Sequence, residues 1–369
     1  MEQTIIQNDR DCQQLKKWMD PNHKILLVCD GSIGFFRINA FFETYKDKVV
    51  RFTDFQPNPD YNSVVEGVKT FRDEGCDALI AVGGGSAIDV AKCIRLYAGM
   101  PGNGAAGAFL QQESGDTGIP FLAMPTTAGT GAEATRYAVI YYEGVKQSVT
   151  SVYAIPDTIL MDSSVLKTLP LYQKKCTMLD ALCHAIESFW SVNSTEESKQ
   201  YSKKAIRQIL DHMDGYLANE DTANADMLMA ANTAGKAINI TQTTAGHAMS
   251  YKLTGLFGIP HGHAVALCNR VLFPWMTEHT EMCGDPRGAE YLKKTLIELA
   301  VAMGEDTPEA AAARFEEVFR RLDLEIPCAT EEQFGILKQS VNPVRLKNHP
   351  IPLDEETIDG LYHCILRTK

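Results

Sequence analysis

No stretch of the 369 residues reaches the ~18 consecutive apolar residues that a membrane-spanning helix needs, so no membrane partner is expected. The amino terminus, Met1-Glu-Gln-Thr-Ile5, has neither a basic region nor an apolar core, so a cytoplasmic location is expected rather than export. Positive charge is in deficit: the formal net charge is −12, which argues against nucleic acid or another polyanion as partner. The ten cysteines form no Cys-x-x-Cys pair and no disulfide framework, the pattern of reduced and mostly buried thiols. The glycine turn Gly83-Gly-Gly-Ser86 is neither the usual Gly-x-Gly-x-x-Gly fingerprint nor a P-loop, and no internal repeat or low-complexity run occurs.

What remains is an ordinary globular composition, 45% apolar and 22% charged, in a chain long enough for two cores. Residues 1–165 alternate strand and helix signals, which predicts an α/β domain with a mainly parallel sheet. The strand candidates are Ile25–Cys29, Val49–Phe52, Ala78–Val82, Phe121–Met124, Ala138–Tyr142 and Thr158–Met161, with a helix over 58–74. Across 166–369 glycine turns thin out and helical periodicity dominates, which predicts an all-α second domain.

Four residues of the second domain read as one divalent-metal site. Asp180 and His184 are four apart, so on a helix they share a face. His247 and His261 lie in a Gly/Pro-punctuated segment able to fold two imidazoles toward one point. One carboxylate with three imidazoles suits Fe(II) or Zn(II) better than calcium or magnesium, and does not separate iron from zinc.

The first domain carries complementary signals. Gly83-Gly-Gly-Ser86 joins a strand to a helix start, where free N–H groups and the helix dipole can face a phosphate; such a turn also serves as a plain connector. A second strand runs into Pro125-Thr-Thr-Ala-Gly-Thr130, rich in hydroxyl and amide donors. Asp30 ends another strand, where an acid either accepts from a ribose hydroxyl, favouring NAD over NADP, or simply forms a turn.

Together, Gly83–Lys92, Pro125–Glu133, Asp180–Glu187, Gly246-His-Ala-Met249 and Pro260-His-Gly262 resemble the iron-containing (group III) alcohol dehydrogenase family. That resemblance implies the dehydroquinate synthase-like architecture, hydride transfer with NAD(H), a bound Fe2+ (or Zn2+) and a homodimer. It places metal ligands on Asp180, His184, His247 and His261, and cofactor contacts on Asp30, Gly84, Gly85, Ser86, Thr126, Thr127, Thr130, Thr135 and Lys146. The chain departs from the family at Ala132, where a serine is usual, and at Tyr251, where many relatives carry a histidine. Tyr251 and His263 are therefore the candidate proton carriers; packing is the alternative for Tyr251 and a rim position for His263.

Within the family, Cys176–Thr195, His247–Thr254 and Val341–Pro350 resemble the phosphonoacetaldehyde reductase branch. A phosphonate substrate, reduced to 2-hydroxyethylphosphonate, would need cationic donors, and Arg136, Lys252 and Arg345 are the candidates. Arg136 could instead approach the cofactor pyrophosphate. A general short-chain alcohol or diol dehydrogenase is the alternative, and a dehydroquinate synthase-like lyase a more distant one.

Overall fold

A computed structural model describes residues 3–7 and 9–368 and divides into two compact units, Met1–Leu169 and Pro170–Lys369. In the first unit the strands are β1 (Thr4–Gln7), β2 (Ile25–Cys29), β3 (Val49–Phe52), β4 (Ala78–Gly83), β5 (Phe121–Pro125), β6 (Tyr137–Tyr142), β7 (Val145–Thr150) and β8 (Thr158–Met161). Its helices are α1 (Gln13–Met19), α2 (Arg37–Glu43), α3 (Tyr61–Asp73) and α4 (Gly85–Ala98). Strands β2, β4, β5 and β8 are buried at every residue, the pattern of a parallel sheet covered on both faces.

Six strands form a sheet in the order β1-β8-β5-β4-β2-β3, with parallel pairing throughout. Leu26, Val28, Leu79 and Ala81 join Val64, Val68, Ile88 and Ala91 of α3 and α4 in one core cluster. The chain steps from β2 to β3 on one side and returns to β4 on the other. The order therefore reverses between β2 and β4, the kind of edge where open α/β sheets leave a ligand crevice.

The strand expected at 138–142 is present but lies outside this sheet. It pairs antiparallel with β7 in a hairpin turned by Glu143 and Gly144, both at positive φ.

The second unit contains α5 (Leu171–Trp190), α6 (Glu196–Leu217), α7 (Asp221–Thr241), α8 (Ala245–Phe257), α9 (His261–Glu278), α10 (Ala289–Met303) and α11 (Pro308–Arg321), then α12 (Glu331–Ser340), α13 (Pro343–Leu346) and α14 (Glu355–Ile365). Among the described residues its only strand pairing is the two-residue parallel one of Cys328–Ala329 with Arg367–Thr368. Helix α5 is buried around most of its circumference and packs against α6, α7 and α9, so it forms the centre of this unit.

Candidate functional site

Three helices of the second unit bring the four metal-ligand candidates together. Asp180 and His184 occupy successive turns of α5. His247 lies in the first turn of α8, which begins where α7 ends at Gln242 in a positive-φ conformation. His261 opens α9, because Gly258 closes α8 in the left-handed region and Pro260 precedes the next helical start. The Nε2 atoms of His184, His247 and His261 stand 4.0, 3.7 and 3.8 Å from Asp180 Oδ1. Asp180, His247 and His261 offer ligand atoms all within 4.8 Å of one another, and the His184 ring stacks on His247 at 4.5 Å.

The electrostatics ask for a cation. Burial pushes Asp180 upward, but His184, His247 and His261 outweigh it and hold the carboxyl well below the usual range. Burial disfavours a charged His247, yet Glu187 and then Asp180 raise it to about 9. Asp180 Oδ1 and His247 Nε2 are buried and make no hydrogen bond among the described residues. Orphaned buried polar atoms are costly. A divalent ion among one carboxylate and three imidazoles would satisfy them, so the donor set fits the metal the sequence implied.

Two glycines permit this approach. A Cβ on Gly246 would lie 2.5 Å from both Glu187 Oε1 and Asn269 Oδ1, and one on Gly262 would lie 2.0 Å from the Cys176 carbonyl oxygen. Glycine beside each histidine is therefore a packing requirement.

Sequence reasoning assigned no role to the residues behind the ring. Glu187, fully buried on α5, accepts from His247 Nδ1 at 2.6 Å and Asn269 Nδ2 at 2.8 Å through Oε1. Through Oε2 it accepts from Thr244 N and Oγ1 at 2.6 and 2.7 Å. These bonds and the His247 charge outweigh burial and bring Glu187 down to about 2. The available signal was its position seven residues after Asp180, two turns along one face.

The proton-carrier candidates separate. His263 is buried with Nδ1 3.0 Å from the Tyr172 hydroxyl and Nε2 2.9 Å from the Glu325 carbonyl oxygen. Two positions beyond His261 on a helix it takes another face, and both of its ring nitrogens are engaged by these partners. Tyr251 lies at the ring, its plane within 4° of His261 and 5.7 Å away. Burial raises its pKa, and the Arg345 guanidinium pulls the other way.

Of the anion-binding candidates, Arg345 is half-buried with its guanidinium 5.7 Å from the Tyr251 ring centroid. Lys252 is exposed, and Arg136 lies in the first unit against Tyr137.

In the first unit, Asp30, Gly83–Gly85 and Thr126 gather at the carboxyl ends of the adjacent strands β2, β4 and β5. Cys29 pairs with Val82, Gly83 pairs with Pro125, and Thr126 N donates to Gly83 O. Asp30 Oδ1 accepts from Ser32 N at 2.8 Å. Gly84 precedes α4 with no side chain capping its first turn, and Gly85 and Ser86 begin the helix. Cβ atoms on Gly84 and Gly85 would meet Thr127 at 3.5 Å and Thr130 at 3.0 Å, so both threonines pack on this turn. Thr135 is engaged internally, its hydroxyl 3.1 Å from Lys92 Nζ. Lys146 is half-buried on β7, and its charge acts on Asp89.

A parallel sheet with a strand reversal between β2 and β4, and a helical unit holding a carboxylate–imidazole ring, are the parts expected of a metal-using dehydrogenase. The family model described as iron-containing alcohol dehydrogenase matches residues 2–163, and the model for the C-terminal part of the Fe-containing family matches 175–363. The chain belongs to the iron-containing alcohol dehydrogenase family, and is an oxidoreductase.

Among its relatives, phosphonoacetaldehyde reductase of Streptomyces viridochromogenes is 31% identical over 331 residues, covering 85% of this chain and 82% of that one. Long-chain-alcohol dehydrogenase 1 of Geobacillus thermodenitrificans is also 31% identical, covering 85% and 81%. The crystal structure of sulfoacetaldehyde reductase from Bifidobacterium kashiwanohense in complex with NAD+ superposes with a TM-score of 0.86 at 25% identity, covering 98% of this chain and 96% of that one.

Proposed function

We propose that the protein is a metal-dependent, NAD(H)-linked aldehyde reductase and alcohol dehydrogenase acting on short substrates, with phosphonoacetaldehyde as the best single substrate. The observation that carries this reading is the gathering of three imidazole Nε2 atoms within 4.0 Å of one buried carboxylate oxygen that makes no hydrogen bond among the described residues. Asp180, His184, His247 and His261 would hold Fe2+ or Zn2+. A bound ion supplies Lewis acidity toward the substrate oxygen, and the nicotinamide supplies or accepts the hydride. Asp30, Gly84, Gly85, Ser86, Thr126, Thr127 and Thr130 would hold the dinucleotide, with the uncapped turn of α4 toward the pyrophosphate. Tyr251 would wall the substrate pocket and pass the proton that the product oxygen takes up. Free thiols, six of ten buried, support a reducing, cytoplasmic setting; a homodimer is proposed on family grounds.

The narrower substrate choice rests on Arg345. Its guanidinium has no carboxylate partner among the described residues and lies 5.7 Å from the centre of the Tyr251 ring, which stacks on His261. A half-buried, unpaired arginine beside the ring is suited to a phosphonate or sulfonate oxyanion. Two similar proteins, named for reducing phosphonoacetaldehyde and sulfoacetaldehyde, support the anionic class. The test is NADH oxidation by the Fe(II)-loaded wild type and Arg345→Ala with phosphonoacetaldehyde and with propionaldehyde. We expect a preference for the phosphonate of ~100-fold in kcat/KM, roughly 3 kcal/mol, largely lost in the variant. Equal or reversed rates in the wild type would leave a general short-chain alcohol dehydrogenase.

A further inference from the structure

We infer that Glu187 is a positioning residue for the metal site: it fixes the ring tautomer of His247 and ties together the three helices that carry the ligands. The inference rests on the metal reading proposed above.

Glu187 is fully buried, and each of its oxygens accepts two hydrogen bonds. Backbone N–H, hydroxyl and amide groups donate to a carboxylate, so the one partner whose proton is free to move is His247. With Oε1 at 2.6 Å and already accepting from Asn269, the His247 proton belongs on Nδ1. With an ion in the ring His247 would be neutral, and its Nε2, 3.7 Å from Asp180 Oδ1, would be left to bind the ion. The other tautomer would put a proton on Nε2, inside the ring, and set two lone pairs against each other at Nδ1.

The same carboxylate joins three elements. It projects from α5, which carries Asp180 and His184, and accepts from Thr244 at the start of α8, three residues before His247. It also accepts from Asn269 of α9, eight residues after His261. Trp190 Nε1 donates to Thr244 Oγ1 at 3.0 Å, so that hydroxyl has its donor direction set toward Glu187. Gly246 leaves room for this junction, because a Cβ there would collide with Glu187 and Asn269.

Glu187→Gln separates positioning from bulk. Its amide presents an oxygen on one side only, so the nitrogen must face either Thr244 N–H or His247 Nδ1. Zn(II) affinity would be measured by competition against a chromophoric chelator, with unfolding of the metal-free proteins recorded alongside. The 15N shifts of the His247 ring in the zinc form of the wild type give the tautomer. We expect Glu187→Gln to bind zinc ~10–100-fold more weakly than the wild type. In the wild type, His247 should carry its proton on Nδ1. Thr244→Val, which removes one of the four bonds and leaves Nδ1 paired, should weaken zinc by less than ~5-fold.

Equal zinc affinity in Glu187→Gln and wild type would overturn the inference and leave the metal reading intact. So would loss of stability alone, or an Nε2-protonated His247 in the zinc form; the tautomer measurement decides even where the variant fails to fold. A wild type that binds no zinc would overturn both.

Discussion

Replacing Gly262 with alanine probes how closely α9 must approach α5 to place His261. The added Cβ would sit 2.0 Å from the Cys176 carbonyl oxygen and 2.8 Å from Asp180 Cβ. A backbone oxygen within a central helix cannot rotate aside, so relief requires the two helices to separate. Overpacking of this kind costs about 1–3 kcal/mol, and the contact falls at the upper end. Alanine recovers about 1 kcal/mol through its helix preference over glycine, which leaves a net loss of about 2 kcal/mol. For a unit of this size that corresponds to about 4–8 °C in Tm. Because Asp180 is the second atom struck, zinc affinity should fall as well. Gly255→Ala in α8 is the control: a Cβ there meets nothing within 4 Å, and the variant should gain about 0.5–1 kcal/mol. Thermal and urea unfolding by circular dichroism would measure both. A Gly262→Ala protein as stable as the wild type, alongside the expected gain in Gly255→Ala, would refute the claim that this approach is obligatory.

Other consequences follow from buried charge. Lys174 is buried with Nζ donating to the Tyr216 carbonyl, Asn219 and Asn224 at 2.9, 2.8 and 2.9 Å; Lys174→Met should cost roughly 2–3 kcal/mol in urea unfolding without changing zinc affinity. His349 is 4% exposed, neither ring nitrogen has a hydrogen-bond partner among the described residues, and burial pushes it down to about 4 against the pull of Glu187. Its unfolded value is about 6.5, so the unfolded chain binds more protons between those limits. Stability should therefore fall, by on the order of 1 kcal/mol per pH unit, as pH drops from about 6.5 toward 4. His349→Phe, which can keep the edge contact with Trp190, should flatten that slope in urea midpoints at pH 7 and 4.5; superimposable profiles would contradict the assignment.

The metal-ligand candidates were legible because their signals are local. Asp180 and His184 are one helical turn apart, and the glycines beside His247 and His261 announce close approaches. The parallel strands were legible for the same reason, as short apolar runs ending in glycine, proline or aspartate. β1 was missed because Thr4–Gln7 is a four-residue edge strand with one buried side chain, too short to show a period. β7 was missed because Val145–Thr150 buries none of its residues, and its Glu143-Gly144 turn was the readable sign of a hairpin. The role of Glu187 was hidden, since its partners Thr244, His247 and Asn269 lie 57, 60 and 82 residues away. The partners of His263, Tyr172 and Glu325, were not legible, because they lie 91 and 62 residues away in the sequence. Arg345 could be chosen over Arg136 and Lys252 only once Tyr251 and His261 had been placed beside it.

The central claim is that Asp180, His184, His247 and His261 form one divalent-metal site on which aldehyde reduction depends. Metal content and NADH oxidation, measured together on the anaerobic wild type and on Asp180→Ala, test it most directly. The account predicts one tightly held ion per chain in the wild type, none in the variant, and aldehyde-dependent NADH oxidation that disappears with the ion and returns when Fe(II) is restored to the wild type alone. Undiminished oxidation in chelator-treated wild type, or equal metal content in a folded Asp180→Ala protein, would contradict it.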